Sequence, residues 1–536
     1  MSLPALSEGA SEDAISLAYA VYGNTLTNGL LTRYPNLREA LKEASESGDR
    51  DRLLRGRLEQ NENLKVVGLI NTPWLRNART ETRRIEALTR YLNSGEAEMA
   101  IAAVADKLGK LQGSDGGWSW CAGMPGSVFI TQRVLASLSP LRDHGFMTPA
   151  MDAMAAKAIG FIDLEMEKEW KRTGPAKYNY TGALDYFYIR SHFGVKESGM
   201  VRAIKAATVS QLAKDWKKLD IEKKAIAAIF IAEEGNKPLS RMIVESLSQY
   251  ASSNPEKGVW YANLKSRGSS ESTILTTTRV LEAFLKVAPE AKEVEGLRQY
   301  LLLAKQTLDW GENRALAQTV ATLLDGKTDW HTLSDSLSIS VDGRDISLDE
   351  VEKISGMVKI DLKSTAKEIQ IRRRANSPAW GGVISQYVAP ILKVNEKGSG
   401  ELKISKAVYA VTTDSKGVIA TAGDLKVGDK VRVTLTVTSD RDLDYVTIKD
   451  NRAACLEPSD QVSGYAESDG IWMYREIRNE STNLFIPFLP KGSHVISYDC
   501  NVDRAGEYSL GIATAQSLYA PQITAHSAGN LLETDH

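Results

Sequence analysis

Apolar positions recur with a helical period up to about residue 326 and then alternate one in two from about residue 335, so the chain changes structural class once along its length. Ile274, Leu281, Phe284 and Leu285 fall on one helical face, as do Leu316, Val320, Leu323 and Leu324. The pattern predicts about ten to twelve helices with short connections. Thr148 before Pro149 reads as an N-cap with proline at the first helical position, while Gly145, Gly235 and Gly326 read as stops. Loops are expected at residues 113–117, 174–178, 254–258 and 309–311. Further on, Leu337, Ile339 and Val341 alternate with serines and run into Asp342-Gly343, a hairpin turn signal, with Ile346 and Leu348 beyond it. Val358, Ile360, Leu362, Ile369 and Ile371 continue the alternation. After a Lys-, Gly- and Ser-rich junction at residues 393–400, Val431, Val433, Leu435 and Val437 alternate with Arg432, Thr434 and Thr436, and further strands follow at short intervals. That half predicts an antiparallel β-sandwich.

Within the helical half a motif returns. Gln-Gly-Ser-Asp-Gly-Gly-Trp at Gln112–Trp118 precedes the helical run Ile130–Leu138. Trp260, with Gly258 before it, precedes Thr276–Phe284; Trp310, with Gln306 and Asp309 before it, precedes Ala315–Leu324. A tight Asp-Gly turn reverses the chain, a Gln amide can bond loop groups, and a Trp covers the junction as the next apolar helix starts. Such hairpins bury their faces only against neighbours. A closed ring would satisfy both ends of the array; an open solenoid would need caps.

Composition narrows the function classes. A chain of 536 residues is too long for one ordinary core. With 66 Lys plus Arg against 68 Asp plus Glu, the bulk field neither attracts nucleic acid nor repels it, and no nucleic-acid partner is expected. No apolar run reaches the roughly 20 residues of a membrane helix, and the start, Met1-Ser-Leu-Pro-Ala-Leu, shows no basic stretch followed by an apolar segment, so no secretion signal is expected within these residues. Cys121, Cys455 and Cys500 form no CxxC pair and are expected as free thiols, with a Cys455–Cys500 bridge as the alternative. No His neighbours a Cys, so no metal is expected.

Two constellations carry candidate chemistry. Asp185, Tyr188 and His192 fall at i, i+3 and i+7 of one helix, with Tyr178, Tyr180 and Arg190 nearby, residue types that helical-toroid lyases and glycosidases use. The preferred reading is an aromatic stripe packed inside a hairpin with one satisfied His. Trp118, Trp120, Trp260 and Tyr261 could make a sugar platform, but their place at the turn of each repeat favours a structural lid. Arg372–Arg374 reads as a solvated strand end, and Asp115-Gly-Gly117 completes neither a calcium loop nor a phosphate cradle.

These residues resemble the C-terminal part of bacterial alpha-2-macroglobulin-like proteins. The likeness rests on Trp118-Ser-Trp120 with Phe129-Ile-Thr-Gln132, Pro378-Ala-Trp-Gly381, the run from Lys426-Val-Gly-Asp-Lys-Val-Arg432 through Asp450–Pro458, and Ser517–Gln522. It implies an α/α toroid of the terpenoid cyclase/protein prenyltransferase kind, thioester-domain-like, over residues 1–330. A small β domain wrapping the toroid would follow at 331–392 and a macroglobulin-like sandwich at 393–536. By the same resemblance the chain belongs to a protease trap of the periplasm or cell surface, its partners being proteases and the remaining macroglobulin domains. No catalytic, cofactor-binding or metal residues are expected. The family's thioester needs Cys-x-x-Gln, whereas the three candidates read Cys121-Ala-Gly-Met124, Cys455-Leu-Glu-Pro458 and Cys500-Asn-Val-Asp503. The expectation is a scaffold without its covalent group. The alternative is a carbohydrate-active toroid enzyme or glycan-binding protein centred on Asp185, Tyr188 and His192.

Overall fold

A computed structural model describes residues 2–6, 12–47, 82–121, 123–261, 273–307, 310, 313–325, 337–346, 360, 362, 365–373, 381–385, 387–411, 418–419 and 425–536. The chain divides into two compact units, Met1–Leu303 with Trp310–Pro378, and Ala304–Asp309 with Ala379–His536. Gly326, Leu348, Val358, Asp309, Gly311, Arg374 and Pro378–Trp380 lie outside the described residues.

The first unit is helical. Its helices are α1 (Ser2–Ala5), α2 (Ala14–Arg33), α3 (Pro35–Glu46), α4 (Ser94–Lys110), α5 (Val128–Asp143), α6 (Pro149–Thr173), α7 (Tyr180–Ser191), α8 (Gly199–Asp215), α9 (Ile221–Glu233), α10 (Lys237–Ser248), α11 (Thr273–Val287), α12 (Glu293–Thr307) and α13 (Asn313–Leu324). Helices α2, α5, α7, α9, α11 and α13 each pack on the next, and α13 packs back on α2, so the ring is closed. Tyr22 of α2 is fully buried and donates its hydroxyl to Ala317 O of α13 at 2.8 Å, fastening the closure.

Sequence explains which helices go inside. On α9 every residue from Lys224 to Ile231 is buried, and on α11 every residue from Ile274 to Phe284. A helix buried all round needs neighbours on every side. The outer helices bury one stripe only: Ala97, Ile101, Ala105 and Leu108 on α4; Val201, Ile204, Thr208 and Leu212 on α8; Ser240, Ile243, Val244 and Leu247 on α10. The sequence reading gave α11 and α13 a single apolar face; packing on all sides replaces that face with a ring-interior position. The predicted boundaries stand where they are described. Thr148 Oγ1 caps α6 by accepting from Met151 N at 3.3 Å, and Gly145 and Gly235 follow helices with φ of 73° and 88°.

The repeated turn works as a lid in three places. Trp118 is fully buried and its indole N–H donates to Leu108 O at the end of α4, 2.9 Å away; Trp310 does the same to Leu301 O of α12 at 3.2 Å. In the middle repeat the lid is Tyr261, whose hydroxyl reaches Leu247 O of α10 at 3.3 Å, while Trp260 is half-buried and stacks on Tyr300. Each lid bonds a carbonyl in the last two turns of the helix before it, adding a second donor there and pinning the ring over the helix end. Gln112 Nε2 donates to Gly116 O at 2.8 Å and Met154 O at 2.9 Å, tying the first turn to α6. Gly116 and Gly258, at φ of 89° and 80°, press against the backbone oxygens of Lys157 on α6 and Gly296 on α12, where a Cβ would lie within 2.5 Å and 2.2 Å. The middle turn is a short hairpin of β1 (Ser252–Asn254) and β2 (Gly258–Trp260), which the sequence reading placed as a loop.

Asp342 and Gly343 take φ of 49° and 76° and join β3 (Leu337–Val341) to β4 (Arg344–Ile346), as the turn signal predicted. β5 (Ile369–Arg373) pairs on the other side of β3, in the order β4-β3-β5. Ile360 and Leu362 are not in a strand, contrary to the alternation. One face of this sheet carries Leu337, Ile339, Val341, Ile346, Ile369 and Ile371, and none of the six is buried.

The second unit is a sandwich. Its five-stranded sheet runs β12 (Leu456–Pro458), β16 (Gly492–Val502), β10 (Lys430–Ser439), β7 (Leu402–Ala410) and β8 (Val418–Ile419). Its seven-stranded sheet runs β13 (Gly464–Ser468), β14 (Ile471–Ile477), β15 (Ser481–Leu489), β11 (Leu443–Asn451), β18 (Ala513–Ser517), β19 (Thr524–His526) and β6 (Lys397–Gly398). A third sheet joins β17 (Gly506–Ser509), β20 (Leu531–Asp535) and β9 (Leu425–Lys426). Val431, Val433, Leu435 and Val437 of β10 all point into one core with Val446 and Ile448 of β11, which fixes the register. Cys455 and Cys500 are free and buried, and Cys121 is free and exposed.

Candidate functional site

Four inner helices bring a polar cluster into the ring. α5 contributes Asp143 and His144, α7 contributes Tyr188 and His192, α11 contributes Arg279, Glu282 and Lys286, and α13 contributes Gln318 with Asp325 just beyond it. Tyr188 Oη donates to Glu282 Oε1 at 2.5 Å, and Arg279 Nη1 donates both to Tyr188 Oη and to Glu282 Oε2, the latter at 2.8 Å. Gln318 Nε2 adds a bond to Glu282 Oε2 at 3.2 Å. His192 Nδ1 lies 2.8 Å from Asp143 Oδ2, and its ring stands edge-on to Tyr188. His144 Nε2 lies 3.7 Å from Asp325 Oδ1. Lys286, in the last turn of α11, sits where the helix dipole favours a cation.

Electrostatics hold the cluster in fixed ionisation states. Burial pushes the Glu282 carboxyl up, but Arg279, Lys286, the Tyr188 hydrogen bond and His192 together bring it below the usual range. Burial drives the Tyr188 phenol far up, so it stays protonated as a donor. Asp143, also pushed up by burial, is held below its ordinary value by the His192 hydrogen bond and nearby cations. Burial raises Asp325. A protonated phenol and an ionised carboxylate locked to a guanidinium form a buried brace; Ser191, beside His192, turns its hydroxyl back to Tyr188 O at 2.8 Å.

The structure therefore splits the predicted trio. Tyr188 and His192 meet in the cluster, whereas Asp185 is ion-paired with Lys223 of α9. Tyr178 and Tyr180 pack edge-on against Trp170, and Arg190 binds Asp163 of α6 through Nε and Nη2, both at 3.1 Å. One detail departs from the packing expectation: His192 is satisfied only at Nδ1, and its buried Nε2 has no hydrogen-bond partner among the described residues. Arg279 and Glu282 were missed in the sequence, though two charges three apart inside Thr276–Phe284, an otherwise uncharged run, were a visible signal. A shallow cleft of about 460 Å³ opens beside Arg190, where Lys205 bridges Glu197 and Glu234 at 2.9 Å each. Among the described residues no group of three or more His, Cys, Asp or Glu could hold a metal ion.

The sugar-platform residues separate as well. Trp118 and Tyr261 are buried lids and Trp260 is half-buried, but Trp120 is 64% exposed, against the lid expectation for all four. It stacks on Phe129 of α5. Arg372 is exposed at its strand end.

The sandwich holds a second buried brace. Lys406 Nζ lies 2.7 Å from Asp450 Oδ1, and Tyr498 Oη donates to Asp450 Oδ2 at 2.6 Å. Lys406 also donates to Asn451 O and Leu510 O. Burial lowers the Lys406 pKa despite Asp450, and it raises Tyr498 far above its usual value and the Cys500 thiol to about 12.

Comparison with known proteins bears on this sandwich. Residues 402–522 match the family model of the bacterial alpha-2-macroglobulin MG10 domain. Over those residues the terminal sandwich is similar to that domain. No curated protein matches the chain. Among solved structures, trypsin-activated alpha-2-macroglobulin from Escherichia coli aligns at 12% identity over 84% of this chain and 31% of that one, with a TM-score of 0.41. The elastase-activated Escherichia coli protein aligns at 13% identity over 82% of this chain and 39% of its own, with a TM-score of 0.37. The native Escherichia coli fragment from domain MG7 to the C-terminus aligns at 13% identity over 94% of this chain and 75% of its own, with a TM-score of 0.31. The chain thus spans less than two fifths of the length of the first two. No described helix is long and apolar enough to cross a membrane.

Proposed function

We propose that this chain is the C-terminal portion of a bacterial alpha-2-macroglobulin-like protease inhibitor, acting as a non-catalytic scaffold without a thioester. The observation that carries the reading is the MG10 match over residues 402–522. In it, residues 1–330 are the thioester-domain-like toroid, 331–392 a small β domain wrapping it, and 393–536 the terminal macroglobulin-like domain. Its partners are proteases, met through the whole protein, and the remaining macroglobulin domains; its place is the periplasm or cell surface. Three features support a scaffold role. No Cys has a Gln three residues on, so the small ring of a thioester cannot close. The charges gathered at the ends of the inner helices brace one another. The apolar face of the β4-β3-β5 sheet is half-buried at Leu337, Ile339, Val341, Ile346 and Ile369 and exposed at Ile371, as a surface partly covered and open to a further domain would be.

The test is twofold. Methylamine treatment of the chain should release no new thiol, by thiol titration under denaturing conditions; a gained thiol would refute the thioester-less reading. A protein carrying this chain with its further domains should slow a general endopeptidase on a large protein substrate and spare a small peptide substrate. Unchanged cleavage of the large substrate would end the inhibitor reading.

A further inference from the structure

Inner helices α5, α7, α9, α11 and α13 end at one rim of the ring. Asp143 and His144 close α5, His192 follows α7, Glu233 ends α9, Lys286 lies in the last turn of α11, and Asp325 follows α13. The ends meet through their side chains: Asp143 holds His192 Nδ1 at 2.8 Å, His144 Nε2 lies 3.7 Å from Asp325 Oδ1, and Lys286 Nζ lies 3.5 Å from Glu233 Oε1. The cations nearby are already committed, Arg279 to Glu282 and Tyr188, Lys286 to Glu233, and Arg33 to His144 O at 2.7 Å. Among the described residues Asp143 and Asp325 are therefore left with imidazole partners, and their side chains are 36% and 42% exposed.

Beneath these carboxylates the histidines are closed off, the side chains of His144 and His192 being 9% and 5% exposed. Asp143 accepts from His192 Nδ1, so in the neutral ring the proton sits on Nδ1 and Nε2 carries a lone pair. That Nε2 and the Nε2 of His144 are buried and have no hydrogen-bond partner among the described residues. Leaving a buried acceptor without a donor is costly, and a guest that brings N–H donors and positive charge answers both the lone pair and the two carboxylates. The field points the same way. Partial burial raises the Asp325 carboxyl, the Glu282 and Asp143 charges add to the rise against His144, and the carbonyl ends of the helices favour a cation. A metal ion does not suit the rim, where the described residues gather no set of ligands for one. A guanidinium does, with planar paired donors that match a carboxylate and a long stem to reach past the surface. The geometry points to this rim as a binding site for an arginine side chain of another polypeptide, its guanidinium pairing with Asp143 and Asp325 and donating to His192 Nε2. The inference uses only the helical ring and holds whether or not the chain inhibits proteases.

The test is an NMR titration of the whole chain with the peptide acetyl-Gly-Arg-Gly-amide, read at the imidazole Cε1–H signals of His144 and His192, which His144→Gln and His192→Gln assign. Both signals should shift saturably. A citrulline peptide, which keeps the shape and loses the charge, should bind about tenfold less tightly, and a lysine peptide should also bind less tightly. Asp143→Asn and Asp325→Asn should each weaken the arginine peptide about tenfold, while Glu245→Gln, on the exposed face of α10, should change nothing. The two carboxylates are partly exposed and the replacements isosteric, so each variant should keep the circular dichroism of the unaltered chain. The proposal is overturned by absence of a saturable shift, by equal affinity for the citrulline or the lysine peptide, or by unchanged affinity in both Asp143→Asn and Asp325→Asn. Equal affinity for free guanidinium ion would overturn it too, assigning the rim to a small cation and not to the side chain of a polypeptide.

Discussion

The ring and the sandwich each bury a tyrosine, a carboxylate and a cation in hydrogen-bond contact, and they handle the cation differently. In the ring Arg279 joins Tyr188 and Glu282, and in the sandwich Lys406 joins Asp450 with Tyr498. Burial works against the charged form of both cations. The ring's carboxylate and phenol outweigh it and Arg279 rises, whereas Lys406 falls despite Asp450. Arginine cannot shed its proton in a protein, and lysine can. The ring brace is therefore permanently charged, and the sandwich brace has an exit at high pH.

The comparison breaks most sharply at the carboxylates. Glu282→Gln should destabilise the ring by about 3–5 kcal/mol, because it leaves a buried guanidinium with no counter-charge. The loss, read by hydrogen exchange of α11 and α13, should be the same at pH 7 and pH 9. A similar loss, about 3–5 kcal/mol, is expected for Trp118→Ala, which empties the lid over α4; fast exchange at Leu108–Gln112 would report it. Asp450→Asn should cost the sandwich less at pH 9 than at pH 7, since Lys406 then loses its charge at lower pH still. The sign follows from linkage. A folded pKa below the unfolded one means that the unfolded chain binds more protons, so stability rises with pH from the lowered value to lysine's ordinary value near about 10.4. For Glu282, also lowered, the contribution is present above glutamate's ordinary value and is lost as pH falls through the folded one. If the two carboxylate variants share one pH dependence, the distinction between the braces fails.

Smaller effects sharpen the rest. Gly116→Ala should cost about 1–3 kcal/mol by denaturant melting, combining left-handed backbone strain with a contact on Lys157 O. Trp472→Ala should stay within about 0.5 kcal/mol. In the native chain Cys121 should react quickly with a thiol reagent, and Cys455 and Cys500 only on unfolding, because burial raises both of the latter thiols.

Much of the architecture was legible because period and turn chemistry are local. The alternation of Val431, Val433, Leu435 and Val437 gave a strand and its buried face, Asp342-Gly343 gave a hairpin, and Thr148-Pro149 gave a helix start. The inner helices were legible as helices but not as inner ones: burial on all sides depends on neighbours distant in sequence. Tyr261 taking the lid role beside Trp260 was hidden too, since hairpin geometry decides which of two adjacent rings reaches Leu247 O.

By itself, then, the sequence determined the two structural classes, the repeated Trp-punctuated hairpins and the absence of a glutamine three residues after any cysteine. These follow from spacing along one chain. Only the tertiary structure decided that the hairpins close, with Tyr22 reaching Ala317, and that Asp185 parts from Tyr188 and His192. Only it showed that Trp118 is covered while Trp120 is not. The reason is that burial and charge pairing depend on distance in space, and ring closure brings α2 beside α13, almost three hundred residues away along the chain.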